Sequence, residues 1–185
     1  MATVKAPAFN PQYSKNYTEA QVDSHRVWEV NALCKQILLH KDKYIKVALK
    51  TGVPWDVIAC IHYRESSLNF KAVLHNGERI IGTDRKTKLV PAGCGPFATW
   101  EDSAVHALLL KKYLFPKDWT LEKQLAFIEA FNGLGYKKRR ELSPYVWAAT
   151  SKHDETGKYV ADGRYDSTAT EKQLGAVAIL KTLRA

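Results

Sequence analysis

The stretch "IACIHYRESSLNF", residues 58–70, decides the reading of this chain: an apolar run ends in Arg64-Glu65-Ser66-Ser67 rather than at a glycine. On a helix Glu65 lies one turn beyond Ile61 and two beyond Ile58, so the three share a face. If that face is core, burial disfavours the charged carboxylate and raises its pKa, the condition for a general acid near neutral pH. The competing reading is an ordinary helix-end charge paired with Arg64 or a lysine. The spacing alone does not choose between them.

Working outward, Pro54 stands where a first-turn proline is tolerated, and 55–66 reads as a helix apolar nearly all round, hence buried. Upstream, Val22, Val27, Val30, Leu33, Ile37 and Leu38 recur at helical spacing over 22–39, and a short helix over 42–50 ends at Gly52. Downstream the periodicity changes. "HNGERIIGTDRKTKLVPAGCGPF" (75–97) carries an Asn-Gly turn, a Gly-Thr-Asp-Arg turn and a Pro-Ala-Gly break, so short strands over 78–81 and 88–90 are expected to form a small hairpin. That hairpin would supply the second wall of a cleft beside Glu65. Helical patterns return over 100–113, 121–131 and 170–183. The expected fold is α+β and predominantly α-helical, one domain over 21–185, with a small β-hairpin next to the cleft and an extended N-terminal arm over 1–20.

The chain has 185 residues, enough for one domain with a proper core. Its net charge of +9, from 28 Lys and Arg against 19 Asp and Glu, favours a polyanionic partner: nucleic acid, an anionic membrane surface or an acidic cell-wall polymer. No window approaches the roughly 20 apolar residues of a membrane span, and "MATVKAPAFNPQYSKNYTEAQ" lacks the apolar core of a signal peptide. Synthesis in the cytosol is the expectation, with no membrane span. Three cysteines, Cys34, Cys60 and Cys94, form no Cys-x-x-Cys. Cys34 and Cys60 read as small buried hydrophobes, and no disulfide framework is expected. The six histidines are scattered, so neither a zinc site nor any other metal or cofactor is expected.

Two further stretches bear on chemistry. In "LAFIEAFNGLGYKKRR" (125–140) Asn132-Gly133 is expected to close a helix in a left-handed cap. Gly133-Leu134-Gly135 follows a helix rather than a strand and lacks a third glycine, which excludes a dinucleotide loop. Tyr136 is placed either to stack on a sugar ring or to close the core. In "SPYVWAATSKHDETGKYVADGRYD" (143–166), Tyr145, Trp147, Tyr159 and Tyr165 are interleaved with polar residues, a pattern that suits carbohydrate or simple loop anchoring. Lys137–Arg140 is the strongest basic cluster, either a solvated turn or a polyanion contact.

Together these blocks resemble the lysozyme-like superfamily. "IACIHYRESSLNF" resembles the Glu-Ser motif of soluble lytic transglycosylases and goose-type lysozymes, and "AFIEAFNGLGY" is similar to their later Ala-Tyr-Asn-Ala-Gly block. "RESSLNFKAVLHNGE", "VPAGCGPFATWEDSAVHAL", "IEAFNGLGYKKR" and "SPYVWAAT…GKYVADGRYD" resemble phage and prophage endolysins over residues 53 to 185. The resemblance implies a lysozyme-like domain that cleaves the β-1,4 bond between N-acetylmuramic acid and N-acetylglucosamine in peptidoglycan. It implies Glu65 as the general acid, Ser66 beside it, and Asn132, Gly133 and Tyr136 lining the cleft; Tyr145 and Tyr159 are the further substrate candidates.

Departures from the pattern are visible as well. The transglycosylase Gly-Leu-Met-Gln turn is Gly95-Pro96-Phe97-Ala98 here, without the glutamine, and the acidic and threonine positions of the common phage pattern fall on Leu74 and Ile80. A second carboxylate must come from Glu78, Asp84, Asp102 or Glu129, with Glu78 slightly ahead because it follows the Asn-Gly turn. One convincing acid suits a lytic transglycosylase that leaves 1,6-anhydro ends; a second would suit a hydrolase. The expected setting is a phage enzyme made in the host cytoplasm, drawn electrostatically to the anionic envelope and acting on the wall as a monomer after release. No nucleic acid partner is expected. A chitinase-like glycosidase, a basic nucleic-acid-binding protein and a wall-binding module without catalysis are the alternatives, and the last two predict indifference to Glu65.

Overall fold

Helix α4 (Trp55–Ser66) runs through the middle of the molecule, with every residue from Asp56 to His62 buried. Such a helix has no solvent face, and its stability comes from packing rather than amphipathicity. Around it stand α2 (Val27–Leu39), α3 (Lys41–Thr51), α6 (Leu121–Asn132) and α9 (Ala176–Leu183), and one apolar core links residues from Tyr13 to Leu180. Full burial of a side chain such as Ile58 or Ile61 is worth about 1.5–3 kcal/mol. The computed structural model describes residues 12–161 and 163–185. Among them, no helix is long and apolar enough to cross a membrane.

The architecture is α+β and mainly helical, with a single two-stranded antiparallel sheet among the described residues. The sheet is not where the turn signals put it. Strands β1 (Thr156–Ala161) and β2 (Arg164–Thr170) pair with Lys158 opposite Asp166 and Tyr159 opposite Tyr165. Residues 78–81 and 88–90 instead belong to an irregular loop connecting α4 to α5 (Trp100–Leu110). The reason is local. Ile80 and Ile81 both turn inward, joining Val73 and Phe97 in a second small core, which a strand's alternation forbids. The amides of Lys88 and Leu89 donate to the Glu78 carboxylate, so a side chain takes the place of a ladder partner.

The N-terminal arm also needs correction. Residues 1–11 lie outside the described residues, but Gln12–Glu19 is a helix, α1, docked on α6. Tyr13 fixes it: its ring stacks on Trp147 and its hydroxyl donates to the buried carboxylate of Glu129. Elsewhere the boundaries shift. Val22 lies before the helix, paired as an isolated bridge with Thr150, and a short 3-10 turn over Ser24–Arg26 precedes α2. The pattern read as one helix over 170–183 is the end of β2 followed by α9, and that over 100–113 is α5 followed by a 3-10 turn. Cys34 and Cys60 are buried free thiols, as expected, and burial pushes Cys34 up to about 11.

Candidate active site

The end of α4 builds the site. The helix stops without glycine because Ser67 and Leu68 both adopt positive φ, 52° and 60°. The carbonyls this frees are answered locally: the Ser67 amide donates to the Tyr63 carbonyl at 2.8 Å, and the Gln173 side-chain amide reaches the carbonyls of Tyr63 and Arg64 at 3.4 and 3.3 Å. Gly77, at φ 78°, packs directly on the carbonyl of Glu65, where any Cβ would come within 3.0 Å. Glu65 is therefore held at the last turn of a rigid helix.

Its carboxylate is half-buried and accepts a 2.9 Å hydrogen bond from the hydroxyl of Tyr145, a residue of the short helix α8 (Pro144–Trp147). Burial raises the Glu65 pKa; the Tyr145 hydrogen bond and the charges of Lys111 and Arg64 act in the opposite direction without cancelling it. The ordinary ion pair weighed for Glu65 with Arg64 does not form. Arg64 turns away and pairs at 3.3 Å with Glu171, both side chains less than a tenth exposed, while its guanidinium lies 4.7 Å from the centre of the Tyr145 ring. Lys111 is the lysine beside Glu65, but its ammonium donates to the Phe131 carbonyl at 2.6 Å.

Behind Tyr145 opens a cavity of about 580 Å³, large enough for a sugar-sized ligand. Its walls include Asn132, Gly133, Tyr136, Tyr145 and Tyr159, which brings together five of the six substrate residues expected from the sequence. The hairpin supplies one wall after all, but it is β1–β2 that does so, through Lys158, Tyr159, Ala161 and Gly163. Tyr159 packs edge-on to Tyr136, which accepts a hydrogen bond from the Tyr159 amide, and Gly135 is needed because a Cβ there would come 2.9 Å from the Tyr159 ring. Glu65 is not itself on the cavity wall; it meets the cavity through Tyr145.

Other expected residues stand elsewhere. Ser66 is outside the cavity, its hydroxyl donating to the His62 carbonyl one turn back in α4. Gly133 ends α6 with positive φ but ψ of 159°, an extended exit rather than a left-handed cap. Glu78 has its oxygens taken by the Lys88 and Leu89 amides and by Asn76, contacts that hold its pKa below the usual carboxylate range. Asp102 accepts from Thr99 at the start of α5, Glu129 is bonded to Tyr13, and Asp84 is exposed on the loop. The carboxylate on the cavity wall is Glu171, which sequence reasoning missed. Lys111 and the β1–β2 hairpin were missed as well; the Asp162-Gly163 dipeptide between alternating residues was the signal for the hairpin.

Two of the histidines scattered in sequence meet in space. Folding of the 71–97 loop onto α5 brings His75, Cys94 and His106 together, with one donor atom from each within 4.8 Å of the others. No protein-family model, curated protein or solved structure matches the chain.

Proposed function

We propose that the protein is a peptidoglycan-cleaving glycosidase of the endolysin type, with Glu65 as general acid on the β-1,4 bond between N-acetylmuramic acid and N-acetylglucosamine. The observation that carries this reading is a carboxyl whose pKa is raised by burial at the end of a rigid helix, bonded to a tyrosine that lines an aromatic and polar cavity. A carboxyl whose ionised form burial disfavours holds its proton more readily, and can give it to the leaving glycosidic oxygen as the bond to the anomeric carbon breaks. Once ionised, it takes a proton from the group that attacks that carbon. The half-buried Tyr159, the rim of the buried Tyr136 and Asn132 give the cavity the aromatic and polar walls that suit a sugar chain, and the net charge of +9 favours encounter with an anionic envelope. The order of the sequence blocks, which resembles that of lysozyme-like endolysins, supports the same reading.

Two outcomes of bond cleavage remain distinct. A hydrolase in the usual two-carboxyl scheme needs a second carboxyl acting on water or on the sugar, about 5–9.5 Å from the first depending on stereochemistry. Glu171 is committed to Arg64 and Glu78 to its loop, which favours the single-acid route, in which the sugar's own C6 hydroxyl attacks and leaves a 1,6-anhydro end. Mass spectrometry of fragments released from purified sacculi separates the routes. Anhydro-muramyl ends are expected. Reducing muramic ends would assign hydrolysis and make Glu171 the second carboxyl to test, while release of no glycan fragments at all would overturn the glycosidase reading.

A further inference from the structure

Away from the Tyr145 cavity, the loop over 71–97 folds on its own small core of Val73, Ile80, Ile81 and Phe97 and lies against α5. At that junction the Nε2 of His75 is 2.8 Å from the Nδ1 of His106, and the Cys94 sulfur completes a group whose donor atoms lie within 4.8 Å of one another. The Phe97 ring sits against both imidazoles, with centroids 5.4 Å from His75 and 5.3 Å from His106, and so fixes their planes. Cys94 is fixed by its backbone: its amide donates to the Thr87 hydroxyl, and its carbonyl accepts from the Thr87 amide, each at 2.9 Å. The Nδ1 on the other edge of the His75 ring is buried and makes no hydrogen bond, so the Nε2 edge facing His106 and Cys94 is the one turned toward the cluster.

We propose that His75, Cys94 and His106 bind a borderline-soft divalent cation, zinc above all, with a fourth position left to water or an external donor. Two imidazoles and a thiolate are the donor set that zinc prefers, whereas calcium and magnesium take oxygen ligands. Zinc–nitrogen bonds of about 2.0–2.1 Å and zinc–sulfur bonds of about 2.3 Å put tetrahedral donors roughly 3.3–3.7 Å apart. The group reaches that geometry when the imidazoles part slightly and the sulfur closes in by about an ångström. Binding exchanges the Cys94 thiol proton for the metal and releases it to water. His75 and Cys94 are half-buried and His106 is exposed, so the ion enters from the α5 side. The metal would clip the loop to α5. Because Gly77 of that loop rests on the Glu65 carbonyl, the clip would also steady the floor under the acid without entering its chemistry.

The test is titration of untagged, full-length, metal-stripped protein with zinc by calorimetry and with cobalt by absorption, for wild type, Cys94→Ser and His106→Ala. Wild type is expected to bind one zinc per chain and to show a thiolate-to-cobalt charge-transfer band. Each substitution is expected to weaken zinc binding by more than about 100-fold, beyond the range typical of groups outside the coordination shell, and Cys94→Ser to abolish the band. His106 is exposed, so its variant retains the fold and keeps the result interpretable. Wild type without 1:1 binding, or variants that bind as wild type does, would overturn the proposal. None of these readings depends on sacculus turnover, so the site and the glycosidase reading stand or fall separately.

Discussion

Glu65 and Glu78 lie close in sequence, and their surroundings drive them in opposite directions. Glu65 sits where a largely buried helix ends, and burial raises its pKa despite the Tyr145 hydroxyl and two nearby cations. Glu78 sits on a loop whose amides converge on it, and those hydrogen bonds lower its pKa. One is biased toward its protonated form, the other toward the anion that holds a loop together. What separates them is the backbone around each, since closeness to an acid in sequence says nothing about which amides will point at a neighbouring carboxylate.

The largest expected structural effect comes from removing the scaffold beside Glu65. Arg64→Met leaves Glu171 buried without its partner, and loss of one member of a buried pair costs about 3–5 kcal/mol; denaturant unfolding measures it. The second change attacks the other side of the comparison. Glu78→Gln removes the anion on which the Lys88 and Leu89 amides converge, so the melting temperature falls at neutral pH. Because the folded pKa of Glu78 is depressed, its contribution is present above the unfolded value of about 4.3 and is lost as pH falls through the folded value. The gap between wild type and Glu78→Gln in thermal melts therefore closes on acidification. A gap that widened instead would reverse the assignment.

The smallest effect sharpens the contrast. In wild type, activity that requires protonated Glu65 declines as pH rises through its raised pKa. The Tyr145 hydroxyl favours the ionised carboxylate, so Tyr145→Phe raises that pKa further and moves the alkaline limb of the pH–rate profile upward. A limb that moved downward, or stayed fixed, would detach Tyr145 from the acid.

How much of this was legible depended on the range of the interaction that decided it. The Ile58–Ile61–Glu65 face was readable because helical periodicity is local; Tyr145 and Tyr159 stood out as aromatics among polar residues, whereas Asn132, Gly133 and Tyr136 were placed at the cleft by the resemblance to lysozyme-like enzymes. The hairpin was misplaced because two stretches carried turn signals. Consecutive burial of Ile80 and Ile81 excluded the first, while β1–β2, largely polar on both faces, gave no clean alternation. The Arg64–Glu171 pair, Lys111 beside Glu65 and the His75–Cys94–His106 group join residues far apart in the chain. Helix α1 was hidden by its polar composition, since Tyr13 and Glu129 recognise each other only after folding.

The most direct test of the central claim is turnover of purified sacculi by wild type, Glu65→Gln and Glu78→Gln, each normalised to folded protein. The account predicts that Glu65→Gln loses about 10²–10⁴-fold in rate, the usual contribution of a positioned general acid, and that Glu78→Gln keeps its rate per folded molecule. Loss of turnover in Glu78→Gln with retention in Glu65→Gln would contradict it.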